Sequence, residues 1–187
     1  MSALAQVFKA AERRWGRVDI LVSNAGIRRD APLYKMTEDD WEAALAPQVM
    51  GSFNCARKAQ EYMVRQSYGR IIFISSPVPA SLGEKGQAAY AAASAAVHGL
   101  TRALALELGP YAITVNCICP DYIDTEMSRN VARREGMYLD DFRRFAAARI
   151  PLRRMGTPGD VAAVAVFFAS EEAGFVSGQV IDVRGGP

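Results

Sequence analysis

The segment RIIFIS, Arg70 to Ser75, is a short run of large and β-branched apolar side chains that ends in serine. A run of this length with no apolar–polar alternation is the pattern of a strand covered on both faces. Val18 to Ser23 (VDILVS) and Thr114 to Cys119 (TVNCIC) read the same way, and Val180 to Val183 supplies a fourth strand at the end of the chain. Helical patterns lie between them. Ser2 to Trp15 is amphipathic, and Glu38 to Arg65 starts behind Thr37 with Asp40 as its capping partner and has a kink expected at Pro47. Ala88 to Leu108 is Ala-rich and stopped by Gly109-Pro110, and Gly159 to Ser170 is a last apolar helix. Strands alternating with helices specify an α/β fold with a parallel sheet and right-handed crossovers. With 187 residues and no repeat or linker, the chain is expected to form a single domain over residues 1–187.

Composition narrows the function classes. The 22 basic and 20 acidic residues leave a net charge of +2, too small for an electrostatic case for nucleic acid. The pairs Arg28-Arg29, Arg133-Arg134, Arg143-Arg144 and Arg153-Arg154 are scattered and read as solvated faces. Cys55, Cys117 and Cys119 form neither a CxxC pair nor a disulfide framework, which predicts a reducing cytoplasm and no metal site. No apolar run approaches the roughly 20 residues of a membrane span. Neither nucleic acid nor membrane is expected as a partner.

Ligands of parallel α/β sheets bind beyond the carboxyl ends of the strands. The residues in question are therefore Asn24-Ala25-Gly26, Ser75-Ser76-Pro77 and Pro120-Asp121-Tyr122. Several of these pieces, in order, resemble the short-chain dehydrogenase/reductase family over essentially the whole chain. They are DILVSNAG (Asp19 to Gly26), GRIIFISS (Gly69 to Ser76), Tyr90 with its helix, LALEL (Leu104 to Leu108), VNCICP (Val115 to Pro120) and FVSGQVI (Phe175 to Ile181). The resemblance implies a Rossmann-like sheet, and the family usually begins with a TGxxxGxG turn whose amides receive the cofactor pyrophosphate. The 187 residues contain no such turn, so the expectation is a partial domain lacking the first mononucleotide-binding half and needing no cofactor of its own.

The resemblance also implies a site of four residues: Asn, Ser, and the Tyr and Lys of YxxxK. Tyr90 stands at the tyrosine position, and Ser76 is the nearest equivalent of the serine, although Pro77 takes the strict spacing. Gln48, placed by the following Gly51 and Phe53, replaces the asparagine, and Ser94 replaces the lysine. Asp121 stands where the family has glycine, Thr125 where a threonine often holds the nicotinamide amide, and VRGG at Val183 to Gly186 replaces VDGG. An unperturbed tyrosine has a pKa of about 10, so without a cation only about one molecule in a thousand is phenolate at neutral pH. His98, eight residues on, lies roughly 11 Å further along the helix and reads as a packing or interface residue. Lys85, in the loop before Tyr90, has the reach but reads as a lysine directed to water.

These departures favour a non-catalytic subunit that assembles with itself or with a complete NAD(P)-dependent alcohol dehydrogenase or ketoreductase of the same family. The small residues Ala91, Ala92, Ala93, Ala95 and Ala96 suit close helix packing, as do the long helix Glu42 to Arg65 and the apolar stretch Val161 to Phe168 with Val180 to Val183. Without a strand beside it, Val18 to Ser23 is expected to present an apolar edge that needs a cover. Two alternatives remain open. One is a cofactor-independent enzyme using Ser76 and Tyr90, suggested by the resemblance of IIFISSPVP (Ile71 to Pro79) to halohydrin dehalogenases; the other is a fragment of an active NAD(P)-dependent oxidoreductase.

Overall fold

The computed structural model describes residues 3–77 and 85–187. The expected helix start at Ser2, and residues 78–84 of the loop between Ser76 and Tyr90, fall outside them. The described chain runs α1 (Ala3–Trp15), β1 (Ile20–Ser23), α2 (Glu38–Leu45), α3 (Gly51–Gln66), β2 (Gly69–Ile74), α4 (Ala88–Leu108), β3 (Ile113–Pro120), α5 (Glu126–Arg134), α6 (Leu139–Arg149), α7 (Pro158–Ala169) and β4 (Val180–Val183). The four strands form one parallel sheet in chain order, β1-β2-β3-β4.

β2 and β3 are the apolar runs, and both are buried along almost their whole length. Period-two alternation sends Ile71, Phe73, Ile113, Val115, Cys117 and Cys119 into one layer, against α1, α3 and α4. Ile72, Ile74 and Ile118 face the other way, onto Val161, Val164, Ala165 and Phe168 of α7. β1 is an outer strand of the sheet among the described residues, and its Ile20 and Val22 are each 49 % exposed.

Local chemistry sets the helix boundaries. Thr37 caps α2 as expected: its Oγ1 accepts from the Asp40 amide at 3.1 Å, while Asp40 Oδ2 accepts from the Thr37 amide at 3.3 Å. The single kinked helix expected over Glu38 to Arg65 is instead two helices joined by a π-helical turn, Ala46–Met50. Pro47 offers no amide and its ring crowds the preceding turn, so the chain there widens rather than merely bends. α3 ends at Ser67, which takes a left-handed conformation with φ of 49°. Gly69 then opens β2 against Met63, where a Cβ would come within 2.5 Å of the Met63 sulfur.

Candidate active site

The carboxyl ends of β2 and β3 and the first turns of α4 bring the questioned residues together. Just past β2, the Ser75 amide donates to the Ile118 carbonyl at 2.8 Å, which extends the sheet contact to the mouth of the site. Its hydroxyl donates to the Ser94 carbonyl at 3.3 Å. Gln48 reaches the same place from the π-helical turn; its Nε2 donates to Ser94 Oγ at 3.3 Å and more weakly to Ser75 Oγ at 3.5 Å. Gln48 is 2 % exposed and Ser94 is completely buried. The side chains at positions 48 and 94 therefore hydrogen-bond each other inside the protein, and the Ser94 side chain is not presented to a ligand.

Tyr90 lies in the first turn of α4, half-buried, with its side chain hydrogen-bonded to that of buried Ser76. The Arg28 guanidinium lies over its ring, 5.5 Å from the centroid. Arg28 is held there by Asp30 at 2.7 Å, and Asp30 is in turn gripped by Arg134 of α5 at 2.9 Å. Burial raises the Tyr90 pKa above its ordinary value, and the Arg28 charge and the Ser76 hydrogen bond oppose that rise without cancelling it. The carboxylates of Asp30 and Asp121 add to the rise. At neutral pH the phenol therefore keeps its proton.

The cation that meets Tyr90 is thus neither of those weighed from the sequence. Lys85 is exposed, and His98 Nε2 contacts Cys119 Sγ at 3.2 Å. Arg28 corrects the reading of the Arg28-Arg29 pair as a solvated face: the Arg28 side chain is only 23 % exposed, while Arg29 is exposed. The signal available in the sequence was its place, two residues beyond Asn24-Ala25-Gly26 at the carboxyl end of a strand.

The remaining positions divide. Asn24 and Ala25 are exposed beyond β1, and Gly26 faces Gln48 Oε1, a buried acceptor without a hydrogen-bond partner. Asp121 Oδ1 accepts from the Tyr122 amide at 2.9 Å, and Tyr122 itself takes a left-handed conformation with φ of 47°. Thr125 precedes α5 in an extended conformation, with its amide donating to Ser128 Oγ at 3.0 Å. Arg184 lies 3.6 Å from Asp182.

A family profile described as enoyl-(acyl carrier protein) reductase matches residues 1–187. The 3-oxoacyl-[acyl-carrier-protein] reductase MabA of Mycobacterium tuberculosis is 42% identical over 184 residues, 98% of this chain and 71% of its own length. The chain belongs to the short-chain dehydrogenase/reductase family. The acetoacetyl-CoA reductase of Shinella zoogloeoides, a second relative, is 42% identical over 171 residues, 91% of this chain and 68% of its own. The crystal structure of YwfH, an NADPH-dependent reductase involved in bacilysin biosynthesis, superposes with a TM-score of 0.90 at 26% identity, covering 98% of this chain and 72% of that one. In this short-chain dehydrogenase/reductase Ser76 and Tyr90 form a contacting pair. Gln48 and Ser94 pack against each other, and Arg28 lies over the tyrosine ring.

Proposed function

We propose that the chain carries the proton-donating half of a carbonyl-reducing site, acting on 3-oxoacyl thioesters with NAD(P)H as hydride source. The observation behind this reading is Tyr90, protonated at neutral pH through burial and hydrogen-bonded to Ser76. A ketone oxygen placed between the two hydroxyls would accept a hydrogen bond from each, and as negative charge developed on it Tyr90 would pass its proton over. Arg28 would then face the phenolate left behind, while Asp30 holds the guanidinium in place. The names of the reductase relatives support the direction and the substrate class.

A bound nicotinamide would supply the hydride. The exposed ledge Asn24-Ala25-Gly26 beyond β1 suits its approach, but position 94 offers its ribose nothing, since Ser94 is buried beneath Gln48. That burial favours a second reading, a non-catalytic subunit in a homo- or hetero-oligomer whose preferred partner is a full-length family member.

The test is NADPH consumption with acetoacetyl-CoA as the 3-oxoacyl thioester. Under the first reading turnover occurs and Tyr90→Phe lowers it by about 100-fold or more, the usual range for losing a general acid. A folded protein that neither turns over nor binds NAD(P)H by calorimetry, yet retains a full-length relative in a pull-down, supports the second. Halide release from a halohydrin panel, lost in Tyr90→Phe, would instead point to cofactor-independent chemistry at Ser76, Tyr90 and Arg28.

A further inference from the structure

On the sheet face covered by α4 lies a cluster that the proposed reaction does not use. Cys117 and Cys119 are two residues apart on β3, so their side chains leave the same face, and both are completely buried. Their sulfurs are 3.8 Å apart, and His98 Nε2 of α4 stands 3.2 Å from Cys119 Sγ. All three donor atoms lie within 4.8 Å of one another. His98 is partly exposed, so the cluster has a route to the surface.

These distances approximate one face of a tetrahedron. Zinc bonds of about 2.3 Å to sulfur and about 2.0–2.1 Å to nitrogen, at tetrahedral angles, put two sulfurs ~3.8 Å apart and a sulfur and a nitrogen ~3.6 Å apart. The sulfur–sulfur edge already has this length, the Cys119–His98 edge is shorter and the Cys117–His98 edge lies within 4.8 Å, so a small rotation of the His98 ring would adjust both. Asp182 of β4 is the register partner of Cys119, so its carboxylate leaves the sheet on the same side. Its side chain is 43% exposed and only loosely paired with Arg184, at 3.6 Å.

We propose that His98, Cys117 and Cys119 form a site for a soft divalent ion, Zn2+, with the Asp182 carboxylate available for the fourth corner. Two thiolates and an imidazole select such an ion over the hard cations Mg2+ and Ca2+, which take oxygen ligands. Both thiols give up their protons on binding, so metal uptake releases two protons to solvent. Arg102, one turn beyond His98, is exposed and can turn away from a bound cation. A disulfide is the poorer use of the same sulfurs. Residues two apart on a strand have Cα atoms about 6.6 Å apart, near the upper end of disulfide geometry.

Titration of the full chain, reduced and freed of metal by a chelator, with Co2+ and then Zn2+ tests the site. One equivalent of Co2+ should bind with thiolate charge-transfer absorption and intense tetrahedral d–d bands, and Zn2+ should displace it and raise the melting temperature. Cys119→Ala and His98→Gln should each weaken Zn2+ by more than the roughly 10–100-fold that loss of a ligand's supporting hydrogen bond costs. His98→Gln sits at a partly exposed helix position and keeps the test open should Cys119→Ala fail to fold. Substoichiometric uptake, a weak octahedral Co2+ spectrum, or undiminished affinity in His98→Gln would overturn the proposal. The proposal is independent of the reductase reading, because the readouts are absorbance, affinity and thermal stability.

Discussion

Replacing Arg28 with methionine removes the charge above the Tyr90 ring while keeping much of the side-chain bulk. The guanidinium carbon stands 5.5 Å from the ring centroid. At an effective dielectric of about 20, unit charges at such a separation attract by about 3 kcal/mol, an upper bound on what the guanidinium contributes to the phenolate. Asp30, 2.7 Å from the Arg28 guanidinium, offsets part of that field and itself raises the Tyr90 pKa. The net expectation for Arg28→Met is therefore a further rise, since removing a cation penalises the phenolate. Alkaline titration by tyrosinate absorbance measures it. Subtracting the curve of Tyr90→Phe from that of the parent, and that of the double variant from Arg28→Met, isolates one of the seven tyrosines. In turnover, the alkaline limb of ketone reduction should move up by the same amount, because reduction needs the protonated phenol. Alcohol oxidation needs the phenolate and should slow about tenfold per unit at fixed pH. A Tyr90 titration that stays in place, or moves down, would refute the assignment of Arg28 as the cation of this site.

Ser94→Lys should not restore the family's site by itself: it forces an ammonium into a completely buried position beside the donor Nε2 of Gln48, at a cost of about 2–4 kcal/mol. Shortening the neighbour as well, in Gln48→Asn with Ser94→Lys, should recover at least about 1 kcal/mol of that loss, read as coupling in a urea-denaturation cycle. Gly69→Ala places a methyl 2.5 Å from Met63 Sδ and 2.9 Å from its Cβ, and since Met63 is fully buried the variant should lose about 1–3 kcal/mol in the same denaturation assay. Asp160 is held well below the usual carboxylate range, first by Arg154 and then by the amide and hydroxyl of Thr157. Its contribution is therefore present above the unfolded pKa of about 3.9 and lost as pH falls, so Asp160→Asn should flatten the dependence of melting temperature on pH below about 5.

Strands were legible in this sequence wherever burial on both faces forced an apolar run, as in Arg70 to Ser75, which the structure shifts by a single residue to Gly69–Ile74. At β1 the reading ran two residues early, because Val18 extends the apolar run across Asp19 without joining the strand; the Val18 amide instead donates to Gln66 Oε1 at 3.1 Å. The proline at position 47 announced a disturbance, but its form as a π-helical turn depended on which buried groups Gln48 could reach, and those are contributed by β2 and α4. Ser76 and Tyr90 were found because the family motif names them. Arg28 was not, because its position is set by Asp30, Arg134 and the Tyr90 ring, and Arg134 lies 104 residues from Asp30. The thiol–imidazole cluster was hidden for the same reason: a C-x-C on a strand carries no signal until α4 sets a histidine 21 residues away against it.

The substitutions at this site are physically linked. A lysine at position 94 would need a polar, open channel toward a ribose, whereas here Gln48 closes that space and spends its amide protons on Ser94 and Ser75. Relative to the asparagine and lysine that the family resemblance implies at these positions, Gln48 is longer by a methylene and Ser94 shorter by most of a side chain, so the pair would compensate in volume as well as in hydrogen bonding. The cation that faces the tyrosine is Arg28, tied to Asp30 and therefore weaker than a free cation. Burial then prevails over Arg28 and Tyr90 holds its proton. A site with that balance is better suited to giving a proton to a ketone oxygen than to taking one from an alcohol, and the same balance would persist as a structural relic if no nicotinamide ever reaches it. Only a measured titration of Tyr90 combined with a nucleotide-binding assay separates the two: the first reports the acid, the second reports whether the acid has a hydride to work with.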